Sequence, residues 1–120
     1  MTTSTSTTTR VISSDKVEGT AVYNHAGDKL GSIDDLMIDK VSGNVRYAVL
    51  EFGGFLGIGT DRYPLPWDAL RYDTSRSAYV VSLDKDQLEN APHYHETQAP
   101  EWTPEYGRTV YDYYSIPWYM

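Results

Sequence analysis

The sequence contains no cysteine, and this absence removes several kinds of chemistry at once. A disulfide framework, a thiolate nucleophile and a zinc–thiolate site all require cysteine, so none of them can form in this chain. A chain without disulfides suits a reducing compartment, and we expect a cytoplasmic location.

Basic residues are scarce, and no run of them occurs. Ten Lys and Arg stand against 17 Asp and Glu, which gives a formal net charge of −7. Binding to nucleic acid or to an anionic membrane draws mainly on Lys and Arg, so we expect no direct nucleic-acid binding. Uninterrupted apolar stretches fall far short of the roughly twenty residues that a membrane helix needs, and the first residues lack the apolar segment of a secretory signal. We therefore expect no membrane insertion.

What is present divides the 120 residues into three parts. Residues 1–14 contain six Thr and four Ser, and a segment this polar cannot offset the entropy of ordering it, which predicts a disordered leader. Residues 15–92 carry the apolar patterning of one domain. A domain of this size buries about 60% of the surface that its unfolded chain exposes, and it is marginally stable alone. We therefore expect that further contacts supplement its hydrophobic core. Residues 93–120 form an extension of different composition.

Short β-like runs separated by turn residues dominate the domain. The alternation of apolar and polar residues fails near Asp34 and Asp35, which predicts a β-bulge there. Residues 45–52 are apolar on both faces, which predicts a central or covered strand. Together the patterns predict strands at residues 17–23, 30–39, 45–52, 62–67, 70–73 and 78–83.

One helix is predicted before Pro92. Asp84 and Gln87 stand at the N-cap and N3 positions of a capping box. Leu83 and Leu88 occupy the positions of a hydrophobic staple. Five or six short strands, one short helix and no crossover helices favour an all-β fold, a small antiparallel β barrel.

A glycine-rich segment at residues 53–59 is the motif most open to over-interpretation. Its glycines match neither the dinucleotide-binding fingerprint nor the phosphate loop, no Lys follows them, and no helix comes next. We interpret the segment as a structural connection in which Phe55, Leu56 and Ile58 cover one end of the barrel.

Histidines offer the first candidate chemistry. His93 and His95, with Glu96 beside them, could present two imidazoles and a carboxylate to a metal ion. His25 is the one other histidine that could complete a ligand set, and nothing in the sequence preorganises these residues. We expect surface or packing roles for them, and no bound metal or cofactor.

Acidic residues near the predicted bulge offer the second candidate chemistry. Asp34, Asp35 and Asp39, with Glu51, could be compared with the paired acids of a hydrolase, but a barrel this small leaves little room for a cleft between two catalytic carboxylates. Acids at bulges and turns more often accept backbone N–H bonds, and no Gly-x-Ser-x-Gly motif occurs. We expect no catalytic residue. The alternative is a small-molecule- or metal-binding protein, or an enzyme, that uses His93, His95 and these acids.

Aromatic residues are concentrated in the extension. Residues 93–120 hold six of the eleven Tyr, two of the three Trp and three of the six Pro, without an evident helical or strand period. An irregular segment so rich in aromatic residues is expected to pack on something. We expect it to dock on the barrel of a second subunit in a symmetric dimer, with docking on its own barrel as the alternative. The predicted interface residues are Tyr111, Tyr113, Tyr114, Pro117, Trp118 and Tyr119.

A resemblance to a known family rests on several motifs in a fixed order. The sequence has GDKLGSIDDLMID at 27–39, Ser42-Gly43, YAVL at 47–50, the glycine-rich segment, Pro66-Trp67, and Leu88-x-x-Ala91-Pro92-x-Tyr94. This series resembles the PRC-barrel family, named for the cytoplasmic domain of the photosynthetic reaction-centre H subunit, over residues 15–94. The aromatic ending, Tyr113-Tyr114-Ser115-Ile116-Pro117-Trp118, is similar to the Tyr-Tyr-Gly-x-Pro endings of stand-alone bacterial members, with Ser115 where Gly is usual.

The resemblance implies a small β barrel that serves as an interaction platform and has no associated catalytic residues. The membrane helix of the H subunit and the second barrel of the ribosome maturation factor have no counterpart here, so neither of those specific roles is implied. The sequence thus predicts a non-enzymatic protein-interaction module, a homodimer that binds another, unidentified protein.

Overall fold

A computed structural model describes residues 10–52 and 61–118. Its strands are β1 (Ala21–Asn24), β2 (Lys29–Ile38), β3 (Val45–Phe52), β4 (Asp61–Pro66), β5 (Leu70–Asp73), β6 (Ala78–Val81) and β7 (Tyr94–His95). Its helices are α1 (Ser14–Val17), α2 (Lys85–Glu89) and α3 (Pro104–Tyr113), with a 3-10 turn at Trp67–Ala69.

All seven described strands belong to one sheet in the order β5-β6-β1-β2-β3-β4-β7. Five of the six neighbouring pairs are antiparallel. The sixth pair, β1 and β6, is parallel, with Val22 opposite Tyr79. In the described residues β5 and β7 end the sheet without pairing to each other. The predicted closed antiparallel barrel is therefore wrong: the fold is a mixed, open sheet. Strands β2 to β5 lie between β1 and β6 in the sequence, and local patterns do not predict that two strands so far apart pair, or that they pair in parallel.

The β2–β3 hairpin confirms two predictions. Ile33 lies opposite Leu50 and Asp35 lies opposite Val49, so Asp34 is the extra residue of a β-bulge. The bulge returns Leu36 to the side of the sheet that packs on the core. Strand β3 lies between β2 and β4, and five consecutive residues of it are buried, as expected of a strand that is covered on both faces.

Helix α2 also forms as predicted. The Asp84 side chain accepts a hydrogen bond from the Gln87 backbone N–H at 2.8 Å, and the Gln87 side chain accepts from the Asp84 N–H at 3.0 Å. This capping box begins the helix and turns Leu88 into the core, where it is fully buried. The core cluster around it includes Val22, Leu50 and Leu65.

Two predicted segments have different structures. Residues 14–17 form a helical turn, so the strand predicted at 17–23 begins only at Ala21, and Val17 enters the core from a helix. The extension, expected to be irregular, contains β7 and the ten-residue helix α3. The helix forms because Thr103 caps it and Pro104 begins it, while Gly107, Val110 and Tyr111 share one buried face.

The predicted glycine-rich connection at 53–59 lies outside the described residues, as do residues 1–9 of the predicted leader. Residues 10–13 are exposed and have no regular structure. The division into a leader, a domain and an extension stays a prediction.

Candidate functional site

Helix α3 places the extension against the chain's own sheet. The Thr103 hydroxyl accepts a hydrogen bond from the Tyr106 N–H at 3.2 Å, which fixes the start of the helix. On its inner face Val110 and Tyr111 are completely buried. They form a second hydrophobic cluster with Tyr47 of β3, separate from the main core. The extension thereby covers the outer face of β3.

Tyr47 is the centre of an aromatic cluster. Its ring centre lies 5.2 Å from that of Trp102, 5.7 Å from that of Tyr111 and 6.4 Å from that of Trp118. The Tyr111 and Trp118 rings meet edge to face at 4.9 Å. Such tilted and edge-on contacts are the favourable arrangements for aromatic rings, so the cluster holds the tail by packing of defined geometry.

Gly107 makes this packing possible. A Cβ atom at this position would lie 2.5 Å from the Trp118 ring and 2.7 Å from the Tyr47 hydroxyl oxygen. Both distances are shorter than van der Waals contact, so a side chain here would push the Trp118 ring off the helix. Glycine is therefore required by close approach and not by its backbone angles.

Burial raises the pKa of several phenols around this cluster. Desolvation is the largest cause at Tyr47 and at Tyr94, and it raises the pKa of each to about 12. The same cause raises the pKa of Tyr114 still further. An unperturbed phenol is already protonated at neutral pH, and burial favours the protonated form of these three still more.

An ion pair borders the aromatic cluster. Arg46 Nη2 lies 3.5 Å from Asp39 Oδ2, and both side chains are nearly buried. The Arg46 guanidinium also lies 5.9 Å from the ring centre of Trp118, within range of a cation–π contact. Asp39 Oδ1 accepts the backbone N–H groups of Ser42 and Val41, at 3.0 and 2.8 Å. These two bonds, and then Arg46, hold the pKa of Asp39 below its ordinary value.

A groove of about 320 Å³ opens beside this ion pair. Its walls come from the end of β2, the β2–β3 turn, the start of β3, residues 102–104 at the start of α3, and Trp118 after that helix. Two apolar residues of its rim face solvent: Val41 is 93% exposed and Ile38 is 50% exposed. We call this groove the aromatic groove. The lining residues used below are Ile38, Val41, Arg46, Tyr47, Trp102 and Trp118.

The predicted interface residues of the tail are distributed unevenly. Tyr111 is completely buried, and Tyr114 and Trp118 are half-buried. Tyr113 and Pro117 are exposed, and the Tyr113 hydroxyl donates a hydrogen bond to the Gln87 carbonyl. Tyr119 lies outside the described residues. Of the five that the structure describes, only Trp118 lines the aromatic groove.

The histidines of the alternative hypothesis have other partners. His93 stacks on Tyr63, with 4.8 Å between ring centres, and its Nδ1 lies 2.8 Å from the Ala91 carbonyl oxygen. His95 Nδ1 lies 2.8 Å from Thr97 Oγ1. Across residues 10–52 and 61–118, no group of three or more His, Asp or Glu is arranged to hold a metal ion.

The acids near the bulge surround an arginine. Arg62 Nε lies 3.1 Å from Asp34 Oδ2, Nη1 lies 3.3 Å from Glu51 Oε2, and Nη2 lies 3.6 Å from Glu96 Oε1. Asp35 Oδ1 accepts the N–H of Leu36. Asp34 is thus part of an ion-pair network that joins β2, β3 and β4 to the segment after β7, and Glu96 belongs to the same network.

Sequence patterns missed most of the groove. The patterns place Tyr47 on a covered strand and Ile38 in a family motif, but no motif marks Val41 or Trp102, and none brings these residues together. The signal that could have located the groove is the helical spacing of Gly107, Val110 and Tyr111 together with the Thr103 cap, which predicts a helix that must cover part of the sheet.

No helix of the described ranges is long and apolar enough to cross a membrane.

Comparison with known proteins gives two findings. A curated relative from Deinococcus radiodurans, named as an uncharacterized protein, is 32% identical to this chain over 81 residues. That match covers 68% of this chain, and the chain spans only 28% of the length of the relative. The family sequence model named PRC-barrel domain matches residues 10–88, which include β1 to β6 and most of α2. The chain therefore belongs to the PRC-barrel domain family.

Proposed function

We propose that this chain is a non-enzymatic protein-interaction module that pairs with a second copy of itself through the aromatic groove. The observation that carries the proposal is the position of Val41 and Ile38, two exposed aliphatic residues on the rim of an aromatic-lined groove. Exposed apolar surface beside a groove is typical of an interaction site.

The shape of this region supports a symmetric pair. The protruding Val41 and the concave surface at Trp102 and Trp118 lie side by side on one face. A two-fold axis beside them brings the Val41 of each copy to the groove of the other, which is the self-complementary contact of an isologous dimer. Aromatic residues surrounding an aliphatic anchor are also typical of interface centres.

Charge favours the same face. Two copies with a net charge of −7 repel each other, and the repulsion is smallest where acidic groups are not in excess. The groove lining includes Lys40 and Arg46 against the single carboxylate of Asp39. Approach through this face therefore costs less electrostatic energy than approach through an acidic face.

The absence of an enzymatic role is part of the proposal. His93 is stacked on Tyr63, His95 Nδ1 lies 2.8 Å from Thr97 Oγ1, and Asp34 is paired with Arg62. These interactions support structural roles for the residues of the alternative hypothesis. The further protein partner and the cytoplasmic location stay predictions.

Sedimentation equilibrium with a substitution on the groove rim tests the proposal. At high micromolar concentration the native chain is expected to approach twice its 13.6 kDa mass. Val41→Asp is expected to be a folded monomer, because an exposed residue contributes little to the fold but a buried unpaired carboxylate opposes the dimer. Thr74→Asp, an equal change of charge at the exposed β5–β6 turn, is the matched control and should remain a dimer. A monomeric native chain, or a dimeric Val41→Asp variant, would contradict the proposal.

A further inference from the structure

A second concavity, of about 370 Å³, lies away from the aromatic groove. One side comes from Asn24 and His25, at the end of β1. The other comes from Arg71 and Tyr72 of β5 and from the β5–β6 turn that carries Arg76. We call this concavity the arginine cleft. It exists because β1 and β6 pair in parallel, which sets the β1–β2 turn beside the β5–β6 hairpin.

Arg71 is the central group of the cleft. Its Nη1 donates to the carbonyl oxygens of Asp68 and Leu70, at 3.2 and 3.4 Å, and these bonds orient the guanidinium. Among the residues that the structure describes, no carboxylate lies within ion-pair distance of it. An oriented cation without an acidic partner is unexpected in a chain with a net charge of −7.

Arg76 adds a second cation. Its guanidinium lies 5.5 Å from the ring centre of Tyr23, and its Nε lies 3.5 Å from Asp73 Oδ2. Asp73 is the acid of the cleft, and its Oδ1 already accepts the N–H and hydroxyl of Ser75, at 2.9 and 2.6 Å. Those bonds, the hydroxyl first, hold the pKa of Asp73 below its usual range. The cleft therefore presents mainly hydrogen-bond donors to a ligand.

Tyr72 does not face these donors, because neighbouring residues of a strand point to opposite faces of the sheet. Its ring packs edge-on against Tyr79 on the side of the core, with 5.1 Å between centres, whereas Arg71 lies opposite Val80. The cleft volume falls within the usual range for small-molecule sites, about 300–1,000 Å³, and exceeds what a bare ion needs.

We propose that the arginine cleft binds the phosphate group of a small phosphorylated compound. Arg71 and Arg76 contact the phosphate oxygens, and the remaining volume of the cleft, beside Val80, takes the organic part. The planar guanidinium fork matches a phosphate with two parallel hydrogen bonds, which are among the stronger interactions available at a protein surface. This site goes beyond the proposed dimer and does not depend on it, because the aromatic groove and the arginine cleft share no lining residue.

Titration of the full chain with phenyl phosphate, followed by amide NMR shifts in a phosphate-free buffer, tests the proposal. The expected shifts are confined to residues 24–25 and 71–80. Loss of a charge-assisted pair should weaken binding by about tenfold in Arg71→Ala. Arg108→Ala removes the same charge from an exposed position on α3 and is the matched control, with affinity expected within about twofold of the native value because surface charges act weakly at a distance.

Inorganic phosphate separates the two parts of the site. It should bind more weakly than phenyl phosphate, because it fills only the part of the cleft that holds the phosphate group. Shifts spread over the whole chain, no saturable shift, or equal weakening by Arg71→Ala and Arg108→Ala would overturn the proposal. Equal affinity for the two probes would overturn the proposed contact with the organic part.

Discussion

The hydroxyl of Tyr111 donates a hydrogen bond to the backbone carbonyl of Arg46, with 2.6 Å between the oxygens. The bond joins helix α3 to strand β3 across 65 positions of sequence, and Tyr111 is completely buried. Because the next side chain after this carbonyl is Tyr47, the bond also fixes the strand that carries the centre of the aromatic cluster. The bond thus ties helix α3 to the strand that lines the groove.

Replacement of Tyr111 by Phe tests this contact. The ring remains, but the buried hydrogen bond is lost, and we expect the free energy of unfolding to fall by about 1–2 kcal/mol. Tyr72→Phe removes a half-exposed hydroxyl instead and should change it by less than about 0.5 kcal/mol. Urea unfolding followed by tryptophan fluorescence measures both. Equal values for the two variants would show that the Arg46 contact contributes nothing.

Gly107→Ala gives a prediction in which two effects have opposite signs. Alanine within a helix usually stabilises by about 1 kcal/mol relative to glycine. Here its Cβ would meet the Trp118 ring at 2.5 Å, and forced repacking typically costs about 1–3 kcal/mol. We therefore expect net destabilisation and a changed Trp118 environment in near-ultraviolet circular dichroism. Arg108→Ala, one residue further along the same helix and exposed, should be neutral, and a stabilised Gly107→Ala variant would disprove the close packing.

Asp39 predicts a pH dependence of stability. Its pKa is lowered in the folded chain, so the ionised carboxylate stabilises the fold above the unfolded-state pKa of about 3.9. This contribution is lost as the pH falls through the lower, folded-state value. The difference in unfolding free energy between the native chain and Asp39→Asn should therefore shrink from pH 5 to about pH 2.5. Glu101→Gln, at an exposed position, is the control, and a pH-independent difference for Asp39→Asn would contradict the assignment.

Leu88→Ala tests the main core. Leu88 is fully buried behind the capping box of α2, and truncation of such a residue costs about 2–5 kcal/mol. Lys85→Ala changes an exposed residue of the same helix and should stay within about 0.5 kcal/mol of the native chain. Thermal and urea unfolding measure the difference. A nearly neutral Leu88→Ala would mean that α2 does not pack on the sheet.

Local patterns predicted the elements whose determinants are local. The Asp84–Gln87 capping box depends on two residues three positions apart, and the bulge at Asp34 depends on a break in alternation within one strand. Residues 45–52 are apolar on both faces whatever strands lie beside them. Each of these features is contained in fewer than about ten residues, so the sequence displays it directly.

Features that depend on distant segments were not predicted. The parallel pairing of Val22 with Tyr79 is set by packing of the whole sheet, and the arginine cleft exists only because of it. Helix α3 was missed for a different reason. Its buried face includes Gly107, which counts as a helix breaker in a pattern but serves here as the point of contact with Trp118.

Paramagnetic relaxation between two copies is the most direct test of the proposed dimer. The chain has no cysteine, so Ser42→Cys, next to Val41 and exposed, provides one thiol for a spin label. The labelled copy, at natural nitrogen abundance, is mixed with a nitrogen-15 copy that carries no spin label. We expect intermolecular broadening at the indole signals of Trp102 and Trp118 and at the Thr103 amide, all in the groove of the other copy. Broadening that is absent, or that is confined to residues distant from the aromatic groove, would contradict it.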